Sequence, residues 1–80
     1  MKKIYKVEQS VNTGFDTFDS FVCCALSFDD AMNMTPTGST LSTDVTETWT
    51  DDLAAINVVE IGTANEDTEI GVILGSYNAA

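Results

Sequence analysis

The sequence has no histidine, one proline, one tryptophan and two cysteines, and its only three basic residues, Lys2, Lys3 and Lys6, fall within the first six positions. Each shortage excludes something. Without histidine, a Ser or Thr nucleophile would have to depend on a few N-terminal lysines for its base. Two cysteines without histidine cannot complete a tetrahedral zinc site unless carboxylates join them. Cys23 and Cys24 are adjacent, so a disulfide between them would strain the backbone; they read as two small buried hydrophobes in a reducing compartment. No run of 18 apolar residues exists to cross a membrane, and the start from Met1 to Glu8 meets polar residues too soon for a secretory signal. The expected location is therefore cytosolic.

What is present in excess is negative charge. The 80 residues carry 13 Asp plus Glu, a formal charge of −10 and a pI near 4.1. From Val7 to Ala80 there is no cation at all. Nucleic acid and anionic membranes would repel such a body, whereas a basic groove on another protein would attract it from a distance. The length allows one core, and a domain this small buries only about 60% of its unfolded surface, which leaves little interior for a buried active site. A non-enzymatic protein is expected, as a single compact domain over residues 1–80.

Along the chain, Lys3 to Gln9 reads as a first strand and Asn12-Thr13-Gly14 as a turn. Phe18 to Leu26 is apolar on both faces and predicts a central strand. Ser27 caps a short helix in which Phe28, Ala31 and Met32 share a face, and the helix must stop near Met34 because Pro36 and Gly38 follow. From Thr35 to Thr50, Leu41, Val45 and Trp49 are the apolar anchors of a polar segment, of which Thr40 to Thr48 could pair at a sheet edge. Thr50 offers a second N-cap and one helical turn. Ile56 to Ala64 and Ile70 to Asn78 read as two strands joined in a hairpin by Asn65-Glu66-Asp67-Thr68. In the last strand Gly71 and Gly75 suggest the close approach of a helix or ring. The order β-β-α-loop-β-β predicts an α+β domain: a mainly antiparallel sheet of four strands, possibly five, with one short helix. That helix can cover one face only, so the Trp49 loop or another copy of the chain must cover the second.

The candidate chemistry is thin. Asp16 with Asp19, Asp29 with Asp30, Asp51 with Asp52, and Glu66-Asp67 with Glu69 are carboxylate pairs, but glycosidase-type chemistry needs two carboxylates held across a cleft, one of them buried, and these sit at turns and helix starts where water is plentiful. Helix caps and solvated loops are the plain reading. The oxygen-rich stretch from Asn65 to Glu69 could offer donors to calcium, yet nothing matches the spaced acidic loop with its closing Glu. No glycine-rich phosphate loop is present, and no cofactor or metal is implied. Trp49, in an acidic segment, is weighed as a core lid and as an interface anchor.

A domain of this length has a radius of gyration of roughly 12 Å. Such a domain is about 30 Å across, and duplex DNA over that length carries roughly 18 phosphates at one per about 1.7 Å, a density that 13 carboxylates approach. Competitive mimicry of nucleic acid is the sharp hypothesis; acidity that serves only solubility is the bland one. The segments Lys2 to Val7, Asn12 to Val22, Thr35 to Gly38 and Gly71 to Ala79 resemble a family of small phage-encoded proteins. In length, acidity and these segments the chain also resembles the anti-CRISPR proteins directed at type I-C systems. Members of the broader family often carry a His before the Pro and more lysine, where this chain has Thr35 and no lysine beyond Lys6, a departure that fits an anionic specialisation.

The resemblance implies action in a bacterial host cytoplasm, by binding the RNA-guided surveillance complex so that target DNA cannot enter. The expected partner is a basic DNA-binding surface of that complex, where target duplex is first recognised, with no direct binding of nucleic acid or membrane and a monomeric or weakly dimeric state. The residues expected to face it are Asp16, Asp19, Asp29, Asp30, Glu66, Asp67 and Glu69, with Trp49 as the candidate anchor and Asp44, Glu47, Asp51 and Asp52 as second choices. The alternatives are a mimic aimed at a restriction enzyme or repressor, and a phage structural module that dimerises through an uncovered sheet face.

Overall fold

A computed structural model of the chain describes residues 1–37, 48–50 and 52–78. Its elements are β1 (Lys3–Glu8), β2 (Thr17–Ala25), α1 (Phe28–Met32), a 3-10 turn at Leu53–Ala55, β3 (Asn57–Thr63) and β4 (Gly71–Asn78). The four strands form one antiparallel sheet in the order β3-β1-β2-β4. The α+β class, the element order and the central place of β2 are as expected. The suggested edge strand at Thr40 to Thr48 falls almost wholly outside the described residues.

One expectation is corrected. β3 and β4 are not a hairpin: they lie at opposite edges, β3 on β1 and β4 on β2. The turn itself exists, since Thr68 N donates to Asn65 O at 3.0 Å, but residues 64–70 cross the end of the sheet instead of reversing beside it. The β1–β2 hairpin forms first in sequence and leaves two open edges, and each later strand satisfies one of them. Turn chemistry is local and cannot distinguish the two outcomes.

The register sorts side chains onto two faces. On one, Tyr5 stands opposite Cys23 and Val7 opposite both Phe21 and Val58; these join Ala25, Ala31, Trp49 and Ile56 in the core. On the other, three rows cross the sheet: Asn57, Glu8, Ser20 and Ser76; then Val59, Lys6, Val22 and Leu74; then Gly62, Ile4, Cys24 and Gly71. Three register shifts, opposite Ile4/Tyr5, between Phe18 and Ser20 and between Val22 and Cys23, offset the pairing with the edge strands locally.

The core face is closed by α1 and Trp49. Ser27 caps α1 as expected, accepting from Asp30 N at 3.1 Å, and the acidic first turn suits the helix dipole. The helix ends at Met32, and only Ala31 is fully buried; Phe28, expected on the same apolar face, is exposed. Five residues give little more than one turn, too short for both ends of an i, i+3, i+4 stripe to reach the core. The space is filled instead by Trp49, fully buried and tilted against Phe21 with ring centroids 5.1 Å apart. Trp49 is thus a core lid, not an exposed anchor, and it covers the same face as the helix. The second helical start is capped by Asp52, whose Oδ1 accepts from Ala54 N at 3.2 Å, and not by Thr50, whose Oγ1 accepts from Asp52 N at 3.1 Å. The radius of gyration is 12.0 Å and the extents are 36 × 24 × 19 Å.

Gly75 meets the expected ring: a Cβ there would lie 2.9 Å from Cε2 of Phe18, which is itself packed on Tyr77. Gly71 does not; its requirement is conformational, with φ at +141° and open space where a side chain would go. Gly75→Ala should destabilise the fold by about 1–3 kcal/mol through overpacking, and Phe18→Leu in the same chain should return part of that loss, as read by urea unfolding. Trp49 Nε1 is buried without a hydrogen-bond partner. Trp49→Phe removes that orphaned donor and should cost well below the roughly 3–5 kcal/mol of Trp49→Ala, a contrast that thermal unfolding of the two variants will reveal.

Candidate functional site

The acidic residues are distributed by topology. Asp16 and Asp19 lie where β2 begins, and Glu8 and Asp52 belong to the same end of the sheet, where β1 stops and β3 starts. Asp29 and Asp30 lie just beyond the far end of β2, and Glu66, Asp67 and Glu69 lie in the crossover at that far end. The nine residues of β2 separate the two groups by roughly 25 Å at about 3.3 Å per residue. The seven carboxylates expected on one face therefore form two clusters at opposite ends. Asp44, Glu47 and Asp51 lie outside the described residues.

The first end is built by Gln9, which is buried. Its Oε1 accepts from Val11 N at 2.9 Å and Asn12 N at 2.8 Å, while its Nε2 donates to Asn12 O at 2.7 Å and Phe18 O at 2.9 Å. Asn12 Nδ2 in turn donates to Trp49 O at 2.8 Å, and Thr17 Oγ1 donates to Gly14 O at 2.6 Å. One side chain thus satisfies four backbone groups and holds the loop between β1 and β2 in a single form. Asp16 closes that loop with φ at +63°, a left-handed conformation that Asp tolerates better than most residues. Its N donates to Asn78 O at 2.6 Å, and Tyr77 Oη donates to its Oδ1 at 3.0 Å. The latter bond holds the Tyr77 phenol above its ordinary value. Beside Asp16, Phe15 is 76% exposed and lines an open hollow with Thr13, Gly14, Tyr77 and Asn78. Neither Gln9 nor Phe15 was distinguishable from the sequence, where the aromatics read mostly as core and a glutamine at a strand end reads as surface.

At the second end, Lys2 Nζ donates to the carbonyls of Glu66 at 2.5 Å and Thr68 at 2.7 Å, and Lys2 O accepts from Ala64 N at 3.0 Å. The carbonyl oxygens that would have served a calcium ion are thereby turned onto an ammonium group. Among the described residues no group of three His, Cys, Asp or Glu is placed to hold a metal.

The other two lysines are also engaged. Lys3 Nζ pairs with Glu60 at 3.2 Å, and Lys6 Nζ lies 3.5 Å from Glu8 Oε2. Glu8 is held below its ordinary value by the hydrogen bond from Asn57 Nδ2 and by the charge of Lys6, with Asp19 opposing. Such exposed pairs contribute little stability. Their consequence is electrostatic: each lysine of the chain is turned onto the protein's own oxygens, so the ends present carboxylate.

Cys23 and Cys24 are both free and fully buried on opposite faces of β2. Burial, with Cys24 alongside, pushes the Cys23 thiol up to about 11, the opposite of what a nucleophile needs. In the window from about 9 to 11 the unfolded chain has released this proton and the folded chain has not, so stability should fall as pH rises through it. A thiol reagent at pH 8 should leave both cysteines unmodified until denaturant unfolds the chain; prompt reaction of the native protein would contradict their burial.

Compared with known proteins, the chain matches no family model, no curated protein and no solved structure. Among the described residues no helix is long and apolar enough to cross a membrane.

Proposed function

We propose that the protein is a non-enzymatic inhibitor that occupies a basic DNA-binding surface of a type I-C CRISPR surveillance complex and blocks recruitment of target DNA by charge mimicry. The observation that carries this reading is the pairing of all three lysines with the protein's own carbonyls and carboxylates. It leaves the side chains of Asp16 and Asp19 at one end, and of Asp29, Asp30, Glu66, Asp67 and Glu69 at the other, without an ion pair to a lysine among the described residues, because Lys2, which lies in the second cluster, is held by the Glu66 and Thr68 carbonyls. A separation of roughly 25 Å is about seven base-pair steps at about 3.4 Å each, a span over which a duplex-binding channel offers several phosphate-contacting lysines and arginines. Carboxylates placed at that spacing displace the same counter-ions and arrive at electrostatically assisted rates. The resemblance to type I-C anti-CRISPR proteins supplies the choice of complex.

At the first end the charge is accompanied by shape. Phe15 stands exposed beside Asp16 on a loop that Gln9 preorganises, and a rigid exposed aromatic among acids is a suitable anchor for a basic surface with an apolar recess. The role once weighed for Trp49 passes to Phe15 in this proposal.

The test is a titration of the protein into purified surveillance complex with labelled target duplex. DNA binding should be lost at low salt, and the inhibition should weaken steadily with added sodium chloride. Replacing Glu66, Asp67 and Glu69 together with their amides should weaken inhibition at least tenfold, about 1.4 kcal/mol, and Phe15→Ala should do so independently. Undisturbed DNA binding under a large excess of inhibitor at low salt would overturn the proposal.

A further inference from the structure

The sheet face opposite Trp49 does not follow the polar-out pattern of a solvated antiparallel sheet. Only its first row, Asn57, Glu8, Ser20 and Ser76, is polar throughout. In the second row Val59 is 44% and Leu74 69% exposed on either side of Lys6 and Val22, and Ile61, beside the third row at the β3 bulge, is 54% exposed. Lys6 is the single charge in those two rows.

Of the described carboxylates, this face carries only Glu8, with Asp19 at its rim. Glu8 lies in the polar row, hydrogen-bonded by Asn57 and near Lys6. The other described carboxylates lie at the two ends of the sheet, on α1, in the crossover, or, for Glu60, on the packed face with Lys3. On a body of net charge −10, a basic partner gains least by docking here, and a like-charged body is repelled least here. The surface most like-charged to this protein is another copy of it. A two-fold axis running between the first and second rows would bring Lys6 of each copy towards Glu8 of the other, because the two residues lie in neighbouring rows of one strand.

We infer that two copies of this chain pair face to face through the apolar rows of this sheet face, centred on Val59, Val22 and Leu74, forming a symmetric sandwich dimer. The face of four strands at about 4.8 Å spacing and about seven residues at 3.3 Å measures roughly 19 × 23 Å, or about 440 Å² in plane. Side-chain relief adds to this, but the area still falls short of the about 800 Å² per partner of a tight complex. The dimer therefore forms in the micromolar range and exchanges readily. This inference does not rest on the proposed inhibitory function, because the surfaces are different and the salt responses are opposite. The partner of the acidic ends is lost as salt rises, whereas the dimer tightens, since screening relieves the repulsion between two polyanions.

The experiment is sedimentation equilibrium of the intact protein from micromolar to several hundred micromolar, at 50 mM and 500 mM sodium chloride. The expected result is a reversible approach to twice the 8.6 kDa chain mass, with a smaller dissociation constant at the higher salt. Leu74→Gln with Ile61→Gln changes only exposed side chains, keeps the net charge, and should weaken association at least tenfold. Phe15→Gln, equally exposed but outside the face, should leave it unchanged. Lys6→Glu should weaken association, and adding Glu8→Lys, which restores the net charge, should recover it. A monomer at several hundred micromolar in both salts would overturn the inference. So would a dimer untouched by the Leu74 and Ile61 substitutions, which would indicate pairing through a sheet edge.

Discussion

The constraint on which the structure depends is electrostatic self-repulsion. Thirteen carboxylates and three lysines must share a domain whose stability, at this size, is a small difference between large terms. Among the described residues the fold meets this by placing most carboxylates at its ends, where separation and solvent weaken their mutual repulsion. Each lysine is used where it closes something: Lys2 on the crossover, Lys3 on Glu60, Lys6 beside Glu8. The same arrangement that makes the chain tolerable as a folded object makes its outer surface anionic. Stability and the proposed mimicry thus arise from one distribution of charge.

The core is correspondingly economical. One face of the β1–β2 hairpin is buried beneath α1 and Trp49, and Trp49 and Phe21, the two largest fully buried side chains, pack ring against ring there. A helix of five residues could not cover the sheet alone, so Trp49 supplies the missing area, even with an unpartnered indole N–H. Its backbone carbonyl is also the acceptor for Asn12, so the lid and the Gln9 loop are mechanically continuous. Phe15 and Asp16 are therefore displayed by the core itself, which gives a small domain a rigid end without an additional element.

Much of this could be read from residue order, and the misses share a cause. Ser27 as a cap, β2 as the central strand, a ring over Gly75 and two inert cysteines are local properties: capping geometry, apolar content on both faces, and side-chain absence act over a few residues. The β3–β4 hairpin failed because the turn at Asn65 to Thr68 forms in either topology, and only the free edges of β1 and β2 decide where the strands go. Phe28 shares the apolar face by spacing and is exposed all the same, because periodicity counts faces and not helix length. Gln9 carries no local signal because its worth lies in four backbone groups that converge on it only once the loop is closed.

What the sequence by itself determined is the sign and excess of charge, the poverty of catalytic groups and the run of elements, because these follow from composition and from interactions between near neighbours. Tertiary structure alone decided that most of the described acids lie at two ends, that each lysine meets the protein's own oxygens, that Trp49 is covered while Phe15 is not, and that Val59, Ile61 and Leu74 stand exposed on the face opposite Trp49. Those outcomes depend on which strands become neighbours, and strand neighbourhood is set by long-range pairing, to which no short stretch of chain has access.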